Sequence, residues 1–393
     1  MIAAGASGDV LLELGVVLLV LAVVGRAAGR IGIPSVPLYL LAGLAMGEGG
    51  LVPLNASDDF IRVGADVGVV LLLLLLGLEY NAEELRDGLK GNWKAGVVDF
   101  VTGAVPGAVA GLLLGWGATA TVVLAGVTYI SSSGIIAKLL GDLDRIANRE
   151  TPVVLSILVI EDLAMAAFLP VLGVLLAGIG LVEGTLTVGA ALAAVVIALA
   201  VSIRWGAHVS RAVAARTQEV LLLTLLGLTL LVAGLAERLQ VSSAVGAFLI
   251  GVAISGRVAE SGRELLEPLR DVFGGLFFVF FGLQIDPATL PPVLLAAVAL
   301  GVASTIGKLM TGWWAAGRAG VGPRGRWRAG LSLVARGEFS IVIGGLGVAA
   351  GLNADLGSLT AAYVLVMAVV GSLLMRFADD LPLPPFLARR STR

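Results

Sequence analysis

No cysteine occurs in the 393 residues, which excludes a disulfide framework and a thiolate metal site. His208 is the single histidine, so imidazole-based metal sites are excluded too, and neither a metal nor an organic cofactor is expected. Charge is also scarce. Only 14% of residues are Asp, Glu, Lys or Arg, against about a quarter in soluble domains. The formal net charge of −2 carries no signal for nucleic acid or any other polyanion. What fills the chain instead is apolar, at 58% of residues. The first apolar stretch, 10–28, lacks a basic lead-in and a small-residue cleavage site. It reads as a retained helix rather than a signal peptide.

A bilayer core about 30 Å thick takes about 20 apolar residues in a helix. Runs of that order recur from end to end, centred near Val17, Leu40, Leu71, Ala104, Ile130, Leu163, Ala193, Leu226, Phe248, Phe277, Ala299, Ile341 and Val366. The expected fold is therefore an all-α membrane protein of about 13 transmembrane helices. Residues 1–380 form one membrane transport domain, and 381–393 a short cytoplasmic tail. Basic residues test this count, because Lys and Arg accumulate in cytoplasmic loops. One set of alternate loops, with the tail, carries twenty-two of the 26. The opposite set carries Arg62 and Arg238, and Lys308 and Arg336 fall inside spans. The topology expected is N-terminus outside and C-terminus cytoplasmic.

Ionisable groups at bilayer depth are costly and mark function by default. Asp66, Glu79 and Asp99 lie near span ends and read as interfacial charges that reach water. Glu161 and Asp162 are different: they sit in 153–176, whose other polar group is Ser156. Neighbours on a helix point about 100° apart, so the two serve different contacts. A carboxylate at that depth can hold a proton or a desolvated cation but not both well, and competition for one site couples the two fluxes. Lys308, among Ser304, Thr305, Gly307 and Thr311, is the natural partner. We expect a Glu161–Lys308 ion pair that leaves Asp162 as ion ligand, with snorkelling of Lys308 as the alternative.

Two spans look discontinuous. Thr128, Tyr129, Ile130, Ser131, Ser132, Ser133 and Gly134 interrupt one, and Ala335, Arg336, Gly337, Glu338, Phe339 and Ser340 another. Broken helices at corresponding places in two halves point to a midplane binding site between inverted repeats. Thr128 and the three serines can coordinate a dehydrated cation or satisfy broken backbone. Arg336 and Glu338 can neutralise half-helix dipole ends or bind the ion. Both choices stay open, and the repeat is inferred from pattern alone.

With these residues in view, the chain resembles the monovalent cation:proton antiporters of the second cation/proton antiporter group. The matching stretches are GVVLLLLLLGLEYNAEELR (68–86), SSSGIIAKLLGDL (131–143), LSILVIEDLAMAAFLPVL (155–172), SSAVGAFLIGVAIS (242–255), EPLRDVFGGLFFVFFGLQID (267–286) and LVARGEFSIVI (333–343). The resemblance implies a sodium/proton-antiporter-like fold with two crossing discontinuous helices, and a homodimer whose mobile core carries the ion by an elevator movement. It implies that Asp162 is the ion- and proton-binding aspartate and Glu161 the variable position before it. It further implies that Lys308 is the core-helix lysine, and Arg336 and Glu338 the charged pair of the second broken helix. Glutathione-gated potassium efflux members carry Gln-Asp where this chain has Glu161-Asp162, and longer members append a nucleotide-binding regulatory domain that this chain ends too soon to contain. The pattern is closer to the transport subunit of two-component potassium/proton exchangers, whose regulatory subunit is a separate cytosolic polypeptide. Potassium is accordingly the preferred ion, with sodium second. An organic-anion symporter, a cation channel and an intramembrane enzyme are the competing readings. The first wants a cationic pocket, the second a glycine-rich re-entrant loop, and the third a constellation that is absent. Whether one proton or more moves per cation stays open at this stage.

Overall fold

The computed structural model describes residues 2–31, 35–47, 49–50, 58–79, 82–177, 208–238, 243–283 and 285–382, with four isolated positions between 178 and 207. The side chains of Glu79 and Glu338 lie outside the described residues. Everything regular among the described residues is helical. The first half supplies α1 (Ile2–Ile31), α2 (Ser35–Met46), α3 (Asp58–Glu79), α4 (Ala82–Leu113), α5 (Gly117–Tyr129), α6 (Ser133–Asp142) and α7 (Thr151–Ala177). The second supplies α8 (Gln218–Arg238), α9 (Ser243–Ala253), α10 (Arg257–Leu283), α11 (Leu294–Arg318), α12 (Pro323–Ser332), α13 (Glu338–Ala349) and α14 (Ala354–Arg376).

Twelve of the thirteen expected span centres fall on these helices or at a break between two of them. The centre at Ala193 falls where only isolated positions are described. Among the described residues, five stretches are long and apolar enough to cross a bilayer by themselves: Gly91–Leu113, Gly117–Asp142, Gln218–Arg238, Pro287–Arg318 and Ala354–Arg376. Three other helices fall short for physical reasons. Helix α2 is short, α13 is half of a broken helix, and the first half of α10 carries Arg257, Glu260, Arg263, Glu264, Glu267 and Arg270.

The helices pack as two groups, each drawing three spans from either half of the chain. Helices α1, α2, α3, α8, α9 and α10 form one; α4 to α7 and α11 to α14 form the other. Between lipid-embedded helices association depends on close packing, so small residues mark the contacts. In the first group, Gly43 of α2 lies against Gly282 of α10, and Gly77 of α3 against Gly251 of α9. A methyl at Gly43 would come within 2.1 Å of the Val279 carbonyl, and one at Gly77 within 2.3 Å of the Phe248 carbonyl. In the second group, Gly107 lets α4 approach α5, where a methyl would stand 2.0 Å from the Leu124 carbonyl. Pro106, just before it, interrupts the ladder of α4. The Gly107 N–H donates to Thr128 Oγ1 across the contact (3.0 Å).

The end of this second group is tied by ions. Arg328 donates to Glu150 (2.5 Å) and to Asp379 (2.9 Å), and Arg145 donates to Asp379 (2.9 Å) and to the Met375 carbonyl. These contacts join the loop after α6, the middle of α12 and the turn that follows α14.

Candidate functional site

The two breaks meet. Helix α5 ends at Tyr129, Ile130 is extended (φ −78°, ψ 132°), and α6 starts at Ser133. Ser132 is the N-cap of α6, its hydroxyl accepting from the Ile135 N–H (3.3 Å). Its own N–H donates to the Ala335 carbonyl (2.9 Å), in the segment between α12 and α13. Gly337 sits where a methyl would come 2.4 Å from Ser132 Oγ, so only glycine lets the two strands of backbone cross this closely. The Ser340 hydroxyl donates to the Val127 carbonyl (2.8 Å), which fastens the start of α13 to the end of α5.

The crossing answers its exposed helix ends with side chains. Arg336 is fully buried. It donates to the Thr128 carbonyl (3.2 Å) at the end of α5, and to the Leu333 (2.9 Å), Val334 (3.0 Å) and Ala335 (3.3 Å) carbonyls beyond α12. One cation therefore serves two C-terminal ends, where helix dipoles concentrate negative charge. Tyr363 of α14 holds the guanidinium from behind: Arg336 Nε donates to Tyr363 Oη (3.1 Å), which donates to Ser304 Oγ of α11 (3.0 Å). Both Tyr363 and Ser304 are buried, and neither was singled out by sequence for this role.

The carboxylates of α7 face the other break. Glu161 accepts from the Ser131 N–H (2.5 Å) and hydroxyl (3.0 Å), which satisfies backbone that the break leaves without a helical partner. Asp162 accepts from the Ser133 hydroxyl (2.9 Å). Glu161 is 1% and Asp162 7% exposed. The serines thus sort the pair: Ser131 holds Glu161, Ser133 holds Asp162, and Ser132 is used up in capping α6.

Lys308 of α11 is fully buried, which removes the snorkelling alternative. Its ammonium lies 2.7 Å from Glu161 Oε1, and also 2.7 Å and 2.8 Å from the two oxygens of Asp99. Asp99 corrects the sequence reading. It is not an interfacial charge but a fully buried one on α4, paired to Lys308. Helix α4 enters its apolar stretch at Gly91, so Asp99 lies eight residues, about 12 Å, inside. Asp66, by contrast, is exposed on α3.

A sequence signal for Asp99 was present. Residues 99–103 read Asp-Phe-Val-Thr-Gly and 308–312 read Lys-Leu-Met-Thr-Gly. The two helices carrying them pack together, Thr102 Oγ1 lies 2.7 Å from Thr311 Oγ1, and each charge meets its counterpart in the other half. The glycines correspond as well: Gly103 rests on Tyr129 at the end of α5, and Gly312 on Gly330 near the end of α12. The repeat inferred from broken-helix pattern alone is therefore also a short run of matched residues.

Chemically, the arrangement offers a buried cation tied to two carboxylates, a second cation on the helix ends, and Asp162 beside the α6 N-terminus. No group of three or more His, Cys, Asp or Glu that could hold a metal ion occurs among the described residues.

Comparison with known proteins accords with this geometry. The family model described as "Sodium/hydrogen exchanger, transmembrane" matches residues 16–378. The potassium/proton antiporter subunit KhtU of Bacillus subtilis is 32% identical over 93% of this chain and 92% of its own length. The ammonium/proton antiporter subunit AmhT of Alkalihalophilus pseudofirmus is 30% identical over 94% of each. The high-affinity sodium/proton antiporter NhaS3 of Synechocystis is 28% identical over 84% of this chain and 74% of its own length. Among solved structures, the sodium/proton antiporter MjNhaP1 of Methanocaldococcus jannaschii shares the fold with a TM-score of 0.68 at 15% identity, over 98% of this chain and 99% of that one. A match along nearly all of its length, to relatives that are transporters rather than enzymes, means that the chain belongs to the sodium/hydrogen exchanger family of multi-pass membrane proteins.

Proposed function

We propose that this chain exchanges a monovalent cation, potassium by preference and sodium second, for protons across the cytoplasmic membrane, with Asp162 as the site the two share. The observation that carries the reading is the division of labour between adjacent carboxylates. Glu161 is engaged by Lys308 and by the Ser131 backbone, whereas Asp162 is held by a hydroxyl and keeps the slight exposure that an exchanging ligand needs. A carboxylate in a dry site binds a proton or a cation in competition, which is coupling without any further part. Thr128, Ser131, Ser132, Ser133 and Arg336 then support the crossing rather than bind the ion. The first four spend their hydroxyls on Gly107, Glu161, α6 capping and Asp162, and Arg336 directs Nε and Nη1 at the carbonyls of the crossing.

Potassium is preferred because the Glu-Asp pair resembles two-component potassium/proton exchangers, and because one relative is itself a potassium/proton antiporter subunit. That relative's description as a subunit also favours a separate cytosolic regulatory partner. The two helix groups suit elevator-type alternating access. The α4–α7 and α11–α14 group carries the site, and the other group serves as the scaffold through which a homodimer forms. The N-terminus is placed outside and the C-terminus, with a tail from 381, in the cytoplasm, where pH homeostasis is the physiological use.

The test is purified protein in proteoliposomes with an internal pH dye, to which potassium, sodium or lithium is added outside. A saturable, cation-dependent pH change in wild type that disappears in Asp162→Asn supports the reading, and the ion ranking names the substrate. Cation flux without proton countermovement would make it a channel, and transport of organic anions a symporter.

A further inference from the structure

We infer that a cavity between the α10–α11 link and helices α13 and α14 holds the monovalent cation before it reaches the crossing. The inference rests on the antiport reading above and adds to it a second cation site, on the membrane face where α14 begins.

The cavity measures about 310 Å³, far above the roughly 30 Å³ that one water takes up in the liquid. Its lining is rich in oxygen. The link contributes the Asp286 carboxylate and the Thr289 hydroxyl, and α14 the hydroxyls of Ser358 and Thr360. Thr360 is 2% exposed, and its Oγ1 has no hydrogen-bond partner among the described residues. A hydroxyl inside a helix can return to the carbonyl four residues back, as Thr305 does to Gly301 (2.8 Å) and Ser372 to Ala368 (2.7 Å). Thr360 forgoes that bond. It faces Gly344, which lines the same cavity and where a methyl would come 2.7 Å from Thr360 Oγ1. A buried hydroxyl without a partner is costly, and in a polar cavity of this size water or a cation supplies one.

The lining runs from an exposed carboxylate to a buried hydroxyl. Asp286 is exposed, its Oδ1 accepting from the Ala288 N–H (2.8 Å), and the Thr289 hydroxyl donates to the Asp286 carbonyl (2.8 Å). Those bonds fix the link and leave the Thr289 oxygen free to accept. Thr360 lies six residues, about 9 Å, inside α14. One turn further along α14, Tyr363 holds Arg336. Ile341 in the cavity wall adjoins Ser340, which is fastened to Val127 at the crossing. A cation resting against Thr360 is therefore on the threshold of the crossing. Three hydroxyls and one carboxylate suit a monovalent cation that keeps part of its water. A divalent ion such as calcium takes about six to eight oxygen ligands, several of them carboxylate.

The experiment uses the absence of cysteine from the chain, which lets one introduced thiol report on the cavity. Thr360→Cys in proteoliposomes is treated with a membrane-impermeant cationic thiosulfonate or its anionic analogue. Asp380→Cys, exposed beyond the far end of α14, reports orientation. Thr360→Cys should react from the face opposite to Asp380→Cys, and about tenfold faster with the cationic reagent. Potassium should slow that reaction saturably, about tenfold at about ten times its Kd, and choline at equal ionic strength should not. Asp286→Asn should reduce the preference for the cationic reagent. It should also raise the cation KM on that face about three- to tenfold, with kcat and the KM on the other face unchanged. No reaction of Thr360→Cys overturns the inference, as does reaction from the Asp380→Cys face or reaction without protection by potassium. Should Thr360→Cys fail to fold, Ser358→Cys, partly buried in the same wall, gives the same readout. The antiport reading is judged apart, by exchange in the wild type. A cation-dependent pH change there supports it whatever the labelling shows, and no exchange of any cation overturns it.

Discussion

Lys308→Ala tests the centre of the site through stability rather than transport. The substitution leaves Asp99 and Glu161, both essentially inaccessible to solvent, without the ammonium that lies between them. Removing one partner of a buried pair costs about 3–5 kcal/mol, because the remaining charge is desolvated and uncompensated. Here two carboxylates are orphaned, so the upper part of that range is expected. Domains of 150–250 residues lose about 2–4 °C of melting temperature per kcal/mol, and a longer chain about half as much. Lys308→Ala should therefore melt about 5–10 °C below wild type. Six tryptophans make intrinsic fluorescence on heating in detergent a practical assay. Asp99→Asn combined with Lys308→Ala removes one orphan and should melt above the single Lys308→Ala variant, a coupling that independent sites would not show. A single variant within about 1 °C of wild type would refute the reasoning, since it would mean that the ammonium is not paired in the dry interior.

Asp162→Asn should abolish cation-dependent pH change in proteoliposomes while leaving the melting curve within about 2 °C of wild type, because its hydroxyl contact can be kept by an amide. Glu161→Gln should retain measurable exchange but melt lower, since the amide still accepts from Ser131 while the charge on Lys308 loses one of its two anions. Tyr363→Phe removes the hydroxyl between Arg336 and Ser304 and should cost about 1–3 kcal/mol through the two buried polar groups left behind, read as a lower melting temperature. Just beyond the end of α14, partial burial works against ionisation of Asp379. The Arg328 hydrogen bond and the charges of Arg328, Arg145 and Arg324 outweigh it and hold this carboxyl below the usual range. A depressed value means that its stabilisation is present above the ordinary carboxylate pKa of about 3.9 and is lost as pH falls through the lower folded value. Wild type should thus melt above Asp379→Asn at neutral pH, with the gap closing only at the acid end of a pH series; a gap that widens on acidification would reverse the sign.

Much of the site could be read from the chain because lipid makes polarity conspicuous. In an apolar stretch, Glu161, Asp162 and Lys308 stand out as expensive, and so do hydroxyl and charge runs that interrupt a helix, as at Thr128–Gly134 and Ala335–Ser340. Span order follows from the same hydrophobicity. Asp99 escaped because a charge five residues from a span centre looks interfacial when the span's start is uncertain, and because one carboxylate has no visible partner in one dimension. Tyr363 and Ser304 escaped for a different reason: a tyrosine and a serine in apolar helices are common, and their use is set by what faces them.

Sequence by itself determined that this is an all-helical membrane chain with a few charges inside its apolar stretches, because burial of backbone in lipid leaves few other solutions. Tertiary structure alone decided who pairs with whom. Contacts such as Asp99–Lys308 and Thr128–Arg336 join residues more than two hundred positions apart. Their partners are chosen by how the two halves of the chain interlock, a relation that periodicity within any one helix cannot express.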